Sequence, residues 1–231
     1  EYNDRDSAID REGDKVFADS DSSGLWRVYE KVDPYNAGLV LSPDATTASQ
    51  EFGHRIVARN DGRTIIVSAP GKGQGEVHFL FRKSADAGTS LSTQSTVTMT
   101  ENDDNTSRLG ESLSISTDEN YVVAGAPFSN TVDSDGSTRQ IDSGLVKVYQ
   151  WNPSTFEYAI LNTISPPTDG SSINEGLNFG WQHKISEPGA NSLSTTPTKY
   201  LFISAPGHDS DQGRVYMYKW AVGSDGSTYD T

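Results

Sequence analysis

An apolar residue paired with glycine, followed by a small-residue Ala-Pro ending, occurs three times along this chain. Phe52-Gly53 leads to Ser68-Ala69-Pro70, Leu109-Gly110 to Gly125-Ala126-Pro127, and Phe179-Gly180 to Ser204-Ala205-Pro206. Each ending runs into a loop and then a Gly-x-Val segment: Gly75-Glu76-Val77, Gly144-Leu145-Val146 and Gly213-Arg214-Val215. Self-similarity at a spacing of roughly 50–70 residues marks a repeat architecture, in which each unit buries its apolar face on the next. Phe52 to Ala69 is 17 positions and so is Leu109 to Ala126. Phe179 to Ala205 is 26, because a polar, Pro- and Ser/Thr-rich stretch from Glu187 to Thr198 lengthens that hairpin tip. Loops are where a repeat tolerates insertion.

A fourth, worn copy lies at the N-terminus. Aligning Ala18 with Ala124 sets Ser7-Ala8-Ile9 against Leu113-Ser114-Ile115 and leaves Asn3-Asp4 at the apolar-Gly position. Gly24 to Tyr29 supplies its closing strand. Within each copy, period-2 alternation of β-branched and aromatic residues predicts strands, as in Arg63–Ser68, Glu76–Phe81, Tyr121–Ala124, Leu145–Tyr149, Tyr200–Ile203 and Arg214–Tyr218. Asn60-Asp61-Gly62 and Thr117–Asn120 are the turns between the first two strands of their copies. Leu39–Leu41, Thr96–Met99 and Tyr158–Leu161 are outer strands. No long stretch carries helical periodicity. Four antiparallel strands per unit predict an all-β fold, a β-propeller of four-stranded blades. Ala and Gly in the Ala-Pro segments let neighbouring blades approach, and Pro ends the strand where its missing N–H costs least.

Composition narrows the function. The 231 residues carry 18 Lys and Arg against 32 Asp and Glu, a formal charge of −14. Such a surface repels phosphate backbones and anionic lipid, so neither nucleic acid nor an anionic membrane surface is an expected partner. There is no cysteine, which rules out disulfides, thiol catalysis and cysteine-based zinc sites. No apolar run approaches the roughly 20 residues of a membrane-spanning helix, and no signal peptide opens the chain. The start at Glu1, inside a worn repeat, reads as a mature product or a piece of something longer.

The three apolar-Gly and Ala-Pro pairs, with the closing strand Gly144 to Trp151 and its counterpart Gly213 to Trp220, resemble the FG-GAP repeats of integrin α subunits and related extracellular proteins. The resemblance covers about residues 1–220. It implies about four FG-GAP blades, at 1–50 (degenerate), 51–107, 108–176 and 177–231, either a compact propeller or part of a seven-bladed ring. It implies an extracellular or cell-surface location and a non-catalytic adhesion or structural role. Phe52, Gly53, Ala69, Pro70, Leu109, Gly110, Ala126, Pro127, Phe179, Gly180, Ala205 and Pro206 would be its structural motif residues. The family's calcium loop is not carried over, because Arg59–Gly62 and Ser116–Asn120 are too short and too poor in carboxylates to wrap Ca2+.

A different acidic pattern recurs before the third strand: Asp19-Ser20-Asp21-Ser22-Ser23-Gly24, Asp133-Ser134-Asp135-Gly136 and Asp209-Ser210-Asp211-Gln212-Gly213. Two readings stand. Asp, Ser and Gly make ordinary turns; alternating carboxylates also suit Ca2+, with Asp19, Asp21, Ser23 and Glu30 the fullest set and Asp133, Asp135, Asp209 and Asp211 the others. Gly71–Gly75 imitates a phosphate loop, but a strand follows it where a helix N-terminus is needed. His54, His78, His183 and His208 form no close pair in sequence and read as structural. Asn105-Thr106-Ser107 is a glycosylation sequon.

The expected function is therefore an extracellular recognition module, with no catalysis, binding a protein or glycan through its loops. One alternative is an architectural subunit of a surface filament or particle that binds copies of itself. Another is a hydrolase with a carboxylate site in the propeller channel.

Overall fold

The computed structural model describes in full residues 51–60, 64–81, 107–131, 141–167, 176–186 and 199–219, and elsewhere gives backbone strands alone. The chain is all-β, with antiparallel sheets and little helix. It divides into two units, residues 1–111 and 112–231.

The first unit holds two four-stranded sheets. One orders β1 (Ser7–Ile9), β2 (Lys15–Ser20), β3 (Trp26–Glu30) and β4 (Leu39–Leu41). The other orders β5 (Ile56–Ala58), β6 (Thr64–Ala69), β7 (Glu76–Phe81) and β8 (Ser92–Thr98). In the second unit, β9 (Ser112–Ile115), β10 (Tyr121–Ala126), β13 (Leu145–Asn152) and β14 (Glu157–Ile164) form a third sheet. A short ribbon of β11 (Thr131–Val132) and β12 (Arg139–Gln140) branches from it. β15 (His183–Ser186), β16 (Lys199–Ala205), β17 (Arg214–Trp220) and β18 (Tyr229–Asp230) form the fourth. The one helix among the described residues, α1 (His208–Asp211), is a single turn broken by left-handed Asp209 and Ser210. The described residues show no closed ring.

Registers repeat between units. Ile66 pairs with Phe79 and Val123 with Val148, and in both sheets the fourth strand carries a one-residue bulge, between Phe79 and Leu80 and between Val148 and Tyr149. The middle strands are buried on both faces: Ile66 and Phe79 on one side and Val67 and Leu80 on the other in one sheet, Val123 and Val146 on one side and Tyr149 on the other in the next. A strand buried on both faces must be sandwiched, so β7 and β13 read as near-continuous apolar runs. In the second unit the core lies between the third and fourth sheets, where Val146, Val148 and Ile164 meet Ile185, Leu201 and Ile203.

The glycine that opens each third strand has a packing reason. Leu109 N–H donates to the Gln74 carbonyl at 2.9 Å, and Phe179 N–H to that of Ser143 at 3.0 Å. Through these bonds the apolar-Gly turn of the following repeat is laid directly on the strand opening. Gly144 thereby forms a parallel bridge with Phe179.

Candidate functional site

The residue before each apolar-Gly pair is left-handed: Glu51 at φ 53°, Arg108 at 55° and Asn178 at 52°. Each turn closes by a main-chain bond back to that residue, from His54 to Glu51 (3.1 Å), Glu111 to Arg108 (3.0 Å) and Trp181 to Asn178 (3.1 Å). The two ends of every turn therefore lie together. In the first unit, two successive turns bring four charged or titratable side chains into one half-buried cluster.

Arg108 organises it. Its Nη1 and Nη2 fork onto Glu51 Oε1 and Oε2 at 3.2 and 2.6 Å, and its Nε donates to Glu111 Oε2 at 2.8 Å. Bidentate guanidinium–carboxylate geometry is the strongest form of this contact. His54 Nε2 stands 3.2 Å from Glu111 Oε1, and Nδ1 stands 4.0 Å from Glu51 Oε2. Arg55 Nε donates to the Glu111 main-chain oxygen at 3.2 Å. Burial pushes the Glu111 carboxyl up, but His54 and Arg108 outweigh it and hold the pKa at about 2. Glu111 is thus an anion at every working pH, and His54 always faces a fixed negative charge. The His54 imidazole lies between the two carboxylates, Nε2 on the Glu111 side and Nδ1 on the Glu51 side.

A second polar group lies in the other unit. Lys199 Nζ pairs with Asp118 Oδ2 and stands 4.6 Å from the Tyr121 ring centroid. Ser116 Oγ donates to Asp118 Oδ1 at 2.6 Å, and Asn120 Nδ2 to Oδ2 at 3.0 Å. Burial raises the Asp118 carboxyl, yet these donors bring its pKa down to about 2. This turn, read from sequence as unable to wrap Ca2+, binds an ammonium from β16 instead. Lys199 is buried and Asp118 half-exposed, so Asp118→Asn should cost about 1–2 kcal/mol, less than a fully buried pair because water reaches the carboxylate. Urea melts of the two proteins at neutral pH measure this.

Lys72, in the glycine-rich loop, pairs with Glu76 at 3.0 Å, and the same carboxylate oxygen stands 3.0 Å from His78 Nε2. Phe52 meets the His78 ring edge-on at 5.1 Å, as Phe179 meets Tyr216 at 5.4 Å. Phe52 and Phe179 therefore each pack on the third strand of their own sheet. Tyr149 and Tyr218 are buried, and Trp151 stacks on Tyr158 at 5.0 Å.

Asp209 and Asp211 are exposed on α1, and among the described residues no three His, Asp or Glu side chains converge as a metal site. Asp19 and Glu30 lie within β2 and β3, not in a loop, since the main chain of Asp19 pairs with Arg27. The side chains of both, with Asp21, Ser23, Asp133, Asp135 and the sequon Asn105, lie outside the described residues. The Glu51–His54–Arg108–Glu111 cluster was missed from sequence, where the histidines read as isolated. One signal was there: opposite charges sit at matching offsets around Phe52-Gly53 and Leu109-Gly110.

No family model and no curated protein matches the sequence. Among solved structures, a candidate 6-phosphogluconolactonase from Bacteroides uniformis ATCC 8492 matches with TM-score 0.56 and 13% identity, over 97% of this chain and 52% of its own. A second candidate 6-phosphogluconolactonase, from Bacteroides fragilis NCTC 9343, matches with TM-score 0.51 and 14% identity, over 94% of this chain and 52% of its own. The chain spans about half the length of either, and the likeness establishes a shared fold. These findings overturn the resemblance to the FG-GAP family and the integrin-like adhesion or structural role drawn from it. The physical reason is in the turns: glycine and alanine stand where main chains cross closely, a packing demand that belongs to stacked hairpins in general. The expectation of a chain without catalysis falls too, because the structures that share its fold are candidate lactonases.

Proposed function

We propose that this chain is about half of a β-propeller hydrolase, its four-stranded sheets serving as blades, and that it opens a sugar lactone. The observation that carries the reading is the imidazole of His54 braced by Glu111 in a half-buried cluster pinned by Arg108. It is supported by a fold shared with candidate lactonases. His54 Nδ1 takes a proton from water as the oxygen attacks the lactone carbonyl. The tetrahedral adduct collapses with cleavage of the ring C–O bond, and the imidazolium returns its proton to the departing alkoxide. The product is the open hydroxy acid. Arg108 is committed to two carboxylates and the chain carries a charge of −14, so a neutral lactone suits it better than a phosphorylated one.

Acid release from glucono-δ-lactone and from its 6-phosphate, measured by pH-stat above the spontaneous rate, tests this. Turnover of the neutral lactone should exceed that of the phosphate. His54→Gln should lower kcat/KM by about 100-fold, the usual contribution of a positioned general base. A rate no faster than buffer alone sinks the reading.

A further inference from the structure

One guanidinium takes three of the four carboxylate oxygens around His54. Arg108 Nη1 and Nη2 hold both oxygens of Glu51, and its Nε holds Glu111 Oε2. The fourth oxygen, Glu111 Oε1, stands 3.2 Å from His54 Nε2, and Glu51 Oε2 stands 4.0 Å from Nδ1. The imidazole and the guanidinium therefore share the same two carboxylates. Arg55 is a further cation beside them, through its Nε bond to the Glu111 main-chain oxygen.

The turn itself does not call for an arginine. In the second unit the same turn closes with Asn178 and Trp181 where Arg108 and Glu111 stand, at φ 52° against 55° and with bonds of 3.1 and 3.0 Å. The charges are an addition to that geometry. Two carboxylates this close to an imidazole favour its protonated form, and a protonated imidazole takes no proton from water. A guanidinium on the same oxygens opposes them, because arginine stays charged throughout the working range of pH.

We propose that Arg108 is a positioning residue for the lactone-opening reaction: its one positive charge, held on Glu51 and Glu111, keeps His54 able to accept a proton near neutral pH. This rests on the reading of His54 as the general base.

Arg108→Gln removes the charge and keeps an amide. Its kcat/KM for glucono-δ-lactone should fall about 10-fold at about pH 5.5 and less than about 2-fold at about pH 8, with KM unchanged, since the acid limb moves up by about one pH unit. An arginine that only held the fold together would lower the rate by one factor at every pH. Arg108→Lys, which keeps the charge and loses the fork, should leave the limb in place. A second readout needs no substrate: the His54 ring proton signal in nuclear magnetic resonance, assigned by its loss in His54→Gln. Its titration should move to higher pH in Arg108→Gln and stay in Arg108→Lys. Glu51→Gln, in a protein that keeps Arg108, should move it to lower pH. A titration unmoved in both Arg108→Gln and Glu51→Gln overturns the proposal whatever the lactone rates show. A wild type that opens no lactone while the titration still moves overturns instead the reading on which the proposal rests.

Discussion

Gly144→Ala should unfold the protein or cost more than about 4 kcal/mol, while Gly213→Ala, the same change at the same place in the next repeat, should cost about 1–2 kcal/mol. Both glycines are left-handed, at φ +82° and +76°, so both variants carry the strain of an alanine in that region. Only Gly144 adds a collision. Its Cβ would stand 2.5 Å from Phe179 N and 2.9 Å from the Phe179 carbonyl carbon. These are main-chain atoms fixed by the Phe179-to-Ser143 bond, and Phe179 is fully buried, so the neighbour has nowhere to go. A loss of that size is comparable with the whole stability of a domain. Urea unfolding of the two variants side by side is the measurement. Equal losses would mean that strain alone sets the cost and that the turn of the next repeat yields.

The same glycines show how far a sequence of this kind can be read. The strand pattern was legible because Val and aromatic residues alternate between turns, and the small residues marked where main chains meet. Those marks report close packing and carry no family label, which is why an integrin-like resemblance could be built on them and then fail. Register was legible only where anchors exist. In the first repeat, Ala18 pairs with Val28 as Val123 pairs with Val148, so Ala18 matches Val123 and not Ala124. That repeat lacks both the apolar-Gly pair and the Ala-Pro ending, and nothing in a period-2 pattern fixes a one-residue slip. The charged cluster was hidden for another reason. Arg108 and Glu51 are 57 residues apart and become partners only because two turns of identical geometry stack.

Lowering the pH from about 6.5 to about 4 should remove about 3 kcal/mol of stability through His183 alone. The ring lies on β15 beside β9, its Nδ1 2.8 Å from Ser114 Oγ, and among the described residues Nε2 has no hydrogen-bond partner. Burial pushes its pKa down to about 4, against a smaller opposing effect of the Ser112 main chain. An unfolded histidine titrates near about 6.5. Between those values the unfolded chain takes up a proton that the folded chain refuses, so acid favours unfolding. The stabilisation is complete above the unfolded pKa and is lost as pH falls toward the folded one. Burial also lowers His78, which moves stability in the same direction, so the informative quantity is a difference. Glu111 and Asp118, held down at about 2, also begin to lose stabilisation as the pH falls toward their ordinary carboxyl range, and that loss is common to both proteins and cancels in the difference. His183→Gln keeps a group able to bond Ser114 and cannot take up the proton. It should be less stable than wild type at pH 7.5, and the gap should close by about 3 kcal/mol as the pH reaches about 4. A gap that stays constant would show that the folded protein admits a charged ring at this site, and the tight packing of β9 on β15 would have to be abandoned.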